Sequence, residues 1–194
     1  MQSASSRAAG KGRSFLRIWR RDERGFTAVE FALVIGPFLA LLFAIMEVAL
    51  VYFATFSLEN ATEQAARLIR TGQAQGGNFD EARFKREVCA RVPVFISCDS
   101  NLKVDVRSFD TFTEAASGVP QPFDARGNLL SNFEQYSPGK GGSVVLVSVY
   151  YHWGLMASLP RMGDFTGRVG VGVSNMPDGS RLISASTAFR NEPF

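Results

Sequence analysis

Arg24-Gly25-Phe26-Thr27-Ala28-Val29-Glu30-Phe31-Ala32-Leu33-Val34-Ile35-Gly36-Pro37-Phe38-Leu39-Ala40-Leu41-Leu42-Phe43-Ala44-Ile45-Met46-Glu47 is the stretch that decides how this chain is built. A charged flank leads into a Gly-Phe junction, a carboxylate follows at Glu30, and an apolar run begins at once. That run extends from Phe31 to Phe56 and is broken by Gly36-Pro37 and Glu47. As a helix it reaches about 39 Å, enough to cross a hydrocarbon core of about 30 Å with some tilt. It is too long for the apolar region of a signal peptide, and no Ala-x-Ala-like cleavage site follows it. The layout predicts a membrane-anchored protein with one span near its N-terminus.

Charge supports that layout. The chain has 194 residues, 21 Lys+Arg and 18 Asp+Glu. Residues 1–25 carry Arg7, Lys11, Arg13, Arg17, Arg20, Arg21 and Arg24 against Asp22 and Glu23, a net +5; the remaining 14 bases and 16 acids give −2. The basic pI of about 9.1 therefore belongs to a short leader. No basic patch remains downstream, which argues against a nucleic-acid partner. Excess Lys/Arg marks the cytoplasmic flank of a span, so the C-terminal part is expected to face outward. Residues 1–14 are rich in Ser, Ala, Gly and bases, a composition that predicts disorder. Phe15, Leu16, Ile18 and Trp19 among arginines form either a short lipid-surface turn or part of a solvated tail.

Within the span, Ala28, Ala32, Gly36, Ala40 and Ala44 recur every fourth residue. Small residues let neighbouring helices approach closely, and the stripe drifts by about 40° per step on a helix of 3.6 residues per turn, which suits slanted crossings. Pro37 lacks an N–H and clashes with the carbonyl of Leu33, so it either kinks the helix or is tolerated within a membrane. Ionisable groups in lipid are costly and usually partnered. Glu47 either marks the outer interface or lies within the span; Glu30 stands near the inner interface.

Gly25-Phe26-Thr27-Ala28-Val29-Glu30 resembles the processing site of type IV prepilin-like proteins, and Glu23 to Leu33 resembles the opening of the TadE-like pseudopilins of the tight-adherence (Tad/Flp) pilus. The Glu30-Phe31 pair is similar to the Glu-Tyr/Phe pair of Flp-type pilins, and Ala188 to Phe194 is similar to the ends of some members. The specific likeness covers about residues 23–60, and the length fits a TadE- or TadF-like member. The resemblance implies a bacterial inner-membrane precursor, N-terminus cytoplasmic and C-terminal domain periplasmic, cut between Gly25 and Phe26 by a prepilin peptidase. It implies other pilins or pseudopilins as partners and a role in assembling an adhesion pilus. The spacing then gives Glu30 a role: cleavage would place a new amine on Phe26, and a neighbouring subunit's amine would neutralise Glu30. The competing expectation is an uncleaved single-span scaffold of a secretion or pilus complex.

Beyond the lipid, Leu58, Ala61, Ala65, Leu68 and Gly72 continue an apolar stripe. Glu63 and Arg67 are spaced to pair, and Gly72 or Gly76-Gly77 is a stop. The expected division is a basic cytoplasmic leader at 1–25, a long helix at 26–72 with its span at about 31–56, and an extracytoplasmic domain at 73–194. Asn78 as N-cap predicts a helix to about Arg91 that buries Phe79, Ala82, Phe84, Val88 and Cys89. Cys89 and Cys98 should form a disulfide in an oxidising compartment. Strands are expected at 101–110, at Ser143–Trp153 as the central strand, around Val169–Val173 and at about 181–190, with a turn at Pro177-Asp178-Gly179. Residues 113–142 read as a long loop, with a short turn at 129–135. The fold class is α+β: a long N-terminal helix, a short helix and a small antiparallel sheet.

No catalytic constellation stands out. His152, the one histidine, lies in the aromatic strand Tyr150-Tyr151-His152-Trp153 and reads as a packed or surface residue. Asp105, Asp110, Glu114 and Asp124 fit no metal-loop spacing, Gly170 and Gly172 make no phosphate loop, and the cysteines are not Cys-x-x-Cys. The expectation is a non-enzyme without metal or cofactor.

Overall fold

The computed structural model describes residues 26–98, 101–130, 133–154 and 174–194. The chain divides into two compact units, Met1–Ile45 and Met46–Phe194. One helix, α1, runs from Phe26 to Arg70. Its 45 residues reach about 68 Å. The helix continues through Pro37 without a break. Its end lies two residues before the expected Gly72. Gly72 adopts a left-handed φ of 76°, and its N–H bonds back to the Ile69 carbonyl at 3.0 Å. Glycine takes that conformation without a Cβ penalty.

The second unit is a helix packed on a sheet. Val51, Ala54, Leu58, Ala61, Ala65, Ala66 and Ile69 of α1 are all buried in one core. The expected stripe is right at Leu58, Ala61 and Ala65, but Ile69 takes the place given to Leu68, which is only half-buried. Thr62 is buried in the same stripe because its hydroxyl donates to the Leu58 carbonyl at 2.7 Å. Arg70, rather than Arg67, carries the ion pair at the helix end, to Glu192 at 3.4 Å.

The sheet is antiparallel, in the order β1 (Leu102–Phe109), β2 (Val144–Trp153), β3 (Arg181–Arg190). These are three of the expected strands, with Ser143–Trp153 central as expected; the Val169–Val173 expectation lies outside the described residues. Val104 opposes Val149, and Val149 opposes Ala185. Alternation therefore sends Leu102, Val104, Val106, Val145, Val147, Val149, Ile183 and Ala185 to one face, where they join the α1 core. A smaller cluster, Phe133, Tyr150, Met176 and Leu182, lies on the other face.

Two short helices follow α1: α2 (Gln73–Gly76) and α3 (Glu81–Cys89). The N-cap of α3 is Asp80, not Asn78: its carboxylate accepts from the Arg83 N–H at 2.7 Å. Asn78 instead turns the chain at a left-handed φ of 49°. Phe84 and Val88 are buried as expected; Ala82 is exposed, one position off the buried face. Cys89 and Cys98 form a disulfide, with Cα atoms 5.9 Å apart.

Residues 113–142 are more ordered than a loop. They begin with a helix, α4 (Phe112–Ser117), whose N-cap Thr111 accepts from the Glu114 N–H at 3.2 Å. Thr111-Phe112-Thr113-Glu114 is a Thr-x-x-Glu capping signature that a loop reading overlooks. Farther on, Val106 donates to the Gln135 carbonyl and Ser137 to that of Val106, at 2.7 and 2.8 Å, so this segment runs beside β1. The turn expected at 129–135 includes residues 131–132, which lie outside the described residues.

The final segment returns to the end of α1. Glu192 donates its N–H to the Arg70 carbonyl at 2.9 Å. The Asn191 side-chain amide donates to the carbonyls of Pro138 and Lys140 at 2.9 and 3.1 Å. A Cβ at Gly72 would lie 2.6 Å from the Phe194 ring, so the glycine also makes room for this contact.

The disulfide closes a short loop, and the chain-entropy model gives it about 2.5–3 kcal/mol. Converting both cysteines to serine should lower unfolding stability by that order in chemical denaturation of the detergent-solubilised protein. Mass analysis should show a Cys89–Cys98 link that disappears on reduction.

Candidate membrane span and assembly site

Over residues 27–50, α1 buries no residue. Phe31, Leu33, Val34, Phe38, Leu41 and Ile45 are all more than half exposed. An amphipathic helix of a soluble protein keeps one polar face; here large apolar groups point in every direction. Thr27–Arg70 is the one helix among the described residues long and apolar enough to cross a membrane. The all-round exposed section from Phe31 to Leu50 spans about 30 Å, the thickness of a bilayer core. Burial begins at Val51, so the outer end of the run Phe31–Phe56 already belongs to the helix-on-sheet core.

Gly25 lies outside the described residues, and Phe26 opens α1. Glu30 stands exposed one turn into the helix. Ala28, Ala32 and Gly36 are exposed, and Ala40 and Ala44 are half-buried. A Cβ built on Gly36 would meet nothing within 4 Å. Among the described residues nothing fills the notch at Gly36. Glu47 is half-buried.

Two polar clusters escaped the sequence reading. Asp105 is fully buried although β1 reads as half-exposed. Both its oxygens accept from Arg107 Nε, at 3.2 and 2.9 Å, and Oδ1 also accepts from the Gln135 N–H at 3.0 Å. Arg107 Nη2 donates to the Phe133 carbonyl at 3.1 Å, and Lys103 pairs with Glu134 at 2.8 Å. Burial pushes the Asp105 carboxyl above its usual range despite the guanidinium beside it. This cluster ties residues 133–137 to β1. Alternating charges on a strand gave no sign of the segment that covers them.

The second cluster brings together Ser180, His152 and Asp178, the residue types of a hydrolytic triad. The geometry is different from a triad. There the base binds the nucleophile through one ring nitrogen and the carboxylate through the other. Here Ser180 Oγ and Asp178 Oδ2 both meet His152 Nε2, at 2.8 and 3.2 Å. Ser180 Oγ also donates to Asp178 Oδ1 at 2.5 Å, and the Ser180 N–H to the same oxygen at 2.9 Å. Serine and carboxylate share one ring nitrogen and bond each other directly, so the serine–histidine–carboxylate relay of a triad is not formed. The cluster clasps the expected Pro177-Asp178-Gly179 turn to the end of β2. An open cleft lined by Glu59, Thr62, Glu63 and Ser184–Thr187 likewise holds no nucleophile–base pair. Among the described residues no group of three or more His, Cys, Asp or Glu is placed to hold a metal ion.

The Ser180 hydroxyl and N–H, with His152 beside them, hold the Asp178 carboxyl below its usual range. Its stabilising effect is therefore present above the unfolded carboxylate value of about 3.9 and is lost as pH falls through the lower folded value. Asp178→Asn should destabilise the protein at pH 7, and the difference from the parent should shrink toward pH 3, in denaturation curves compared at the two pH values.

Comparison with known proteins bears on the helix rather than on these clusters. No curated protein and no solved structure matches the chain. Residues 25–67 match the family model described as TadE-like protein. The match runs from Gly25 through the exposed apolar section and into the buried stripe of α1, and it is the family whose opening motif the sequence resembles.

Proposed function

We propose that this protein is a non-catalytic pseudopilin or minor pilin of a Tad/Flp pilus apparatus, made as an inner-membrane precursor and used in assembling an adhesion pilus. The observation that carries the reading is the TadE-like match over 25–67, which falls on a helix exposed and apolar on every side in its first half. The basic leader stays in the cytoplasm and the sheet domain faces the periplasm, by the charge asymmetry across the span. A prepilin peptidase cuts between Gly25 and Phe26. Cleavage removes the +5 leader and leaves a chain of −2 from its side chains.

The cut also creates the partner that Glu30 lacks. A carboxylate in lipid is expensive unless neutralised. The Phe26 amine of a neighbouring subunit supplies the opposite charge, and the ladder from Ala28 to Ala44 lets the two helices come close. Cleavage and assembly are linked in this way: before the cut there is no amine at position 26, and the anchored subunit waits in the bilayer.

N-terminal mass spectrometry of the native protein should give a chain beginning at Phe26, and the precursor N-terminus in cells without the prepilin peptidase. The precursor N-terminus in both would instead support an uncleaved scaffold. Glu30→Ala should leave membrane insertion intact and strongly reduce incorporation into the pilus or its assembly complex, measured by co-purification. Unchanged incorporation would remove Glu30 from the mechanism.

A further inference from the structure

The disulfide closes a loop with an unusual surface. Val92-Pro93-Val94-Phe95-Ile96-Ser97, between Cys89 and Cys98, contains no charged residue. Val94 is 104% exposed and Phe95 46%, whereas Ile96 is 4% exposed and plugged into the core. The loop is held in this posture. The disulfide fixes both ends, the Ile96 N–H bonds to the Pro93 carbonyl at 2.9 Å, and the Ser97 N–H bonds to the Tyr151 hydroxyl at 3.1 Å. A loop stapled at four points cannot fold its apolar tip inward.

The tip is continuous with the apolar helix. The Phe95 ring lies 5.6 Å from that of Phe53 and 6.2 Å from that of Trp153. Phe53 belongs to the run Phe31–Phe56, three residues past the end of a 30 Å crossing that starts at Phe31, which is the headgroup level. Its helix neighbours Tyr52 and Phe56 are also exposed. Aromatic residues concentrate at that level because their flat, partly polar rings suit the boundary between water and hydrocarbon.

We propose that the Cys89–Cys98 loop inserts its Val94–Phe95 tip into the outer headgroup layer of the bilayer, beside Phe53, as a second membrane contact. The occupant of this surface is lipid. The proposal rests on the reading that α1 spans a membrane. With two contacts the domain rests at a fixed tilt and rotation on the bilayer, rather than swinging on a single helix.

The test uses the full chain in phosphatidylethanolamine–phosphatidylglycerol vesicles, at a lipid excess that keeps subunits apart. A nitroxide label is attached at Val94→Cys, at Leu41→Cys within the span, and at Arg126→Cys on the exposed connection after α4. The native cysteines are paired and do not take label. Collision with oxygen, which concentrates in lipid, is compared with collision with a water-soluble nickel chelate. The expected result is an oxygen-to-nickel ratio at position 94 severalfold above that at 126 and approaching that at 41. A ratio at 94 equal to that at 126, with 41 in lipid, overturns the loop proposal and leaves the span standing. A label at 94 shielded from both reagents means a protein contact and also overturns it. A water-like ratio at 41 overturns the span and the loop together. Val94 is fully exposed, so its replacement disturbs no packing; retention of the Cys89–Cys98 link by mass analysis verifies the fold.

Discussion

A helix in lipid must be apolar on all sides, whereas a helix lying on a sheet must be apolar on one side and tolerate water on the others. The α1 helix meets both demands within 45 residues. The change occurs near Val51, and its chemistry is visible in residue size. The first half carries Phe, Leu, Ile and Val around the whole circumference. The second half faces the sheet with Ala54, Ala61, Ala65 and Ala66, set between Val51, Leu58 and Ile69. Small side chains bring the helix close to the strands, and Leu58 and Ile69 fill what remains. Polar Glu59, Glu63 and Gln64 take the water side. The sheet, the closing residues 191–194 and the disulfide loop are arranged around this second half.

The sheet's other face shows how a small domain covers a second surface. Residues 133–137 lie along β1, held by the buried Asp105 and its partners. A buried carboxylate is costly, but this one accepts from a guanidinium and a backbone N–H together. Tyr136 of the same segment turns instead to the α1 core, its ring 5.8 Å from that of Phe84, and burial pushes its hydroxyl up to about 12. Together these contacts hold a glycine- and proline-rich connection against the sheet.

Much of this was legible in the sequence, for definable reasons. The span, the central strand and the outer strands follow from apolar runs and alternation, which are local properties. The disulfide follows from compartment and proximity. What escaped depends on distant segments meeting. Asp105 reads as a solvent-facing charge until residues 133–137 are laid over it. Asn78 and Asp80 compete for the same cap, and propensity alone does not choose between them. The Thr111–Glu114 cap was locally readable, and was hidden by the glycines and prolines that follow it. At the candidate site, the helix that carries Glu30 and the ladder was evident from its apolar run. The exposure of Val94 and Phe95 was not, because valine and phenylalanine between cysteines ordinarily suggest core.

The closure of α1 by residues 191–194 governs the order in which the fold can form. Arg70 and Glu192 are separated by 122 positions along the chain. The end of the first helix stays open until the last strand has emerged and paired. Contacts of such long range are formed late and slowly. A chain delivered from its N-terminus thus presents its longest helix first and completes it last, and for that interval the sheet-facing side of α1 stands uncovered. That side is largely alanine, the least adhesive apolar surface available. The residue that permits close packing in the finished domain also exposes the least apolar area while the domain is unfinished.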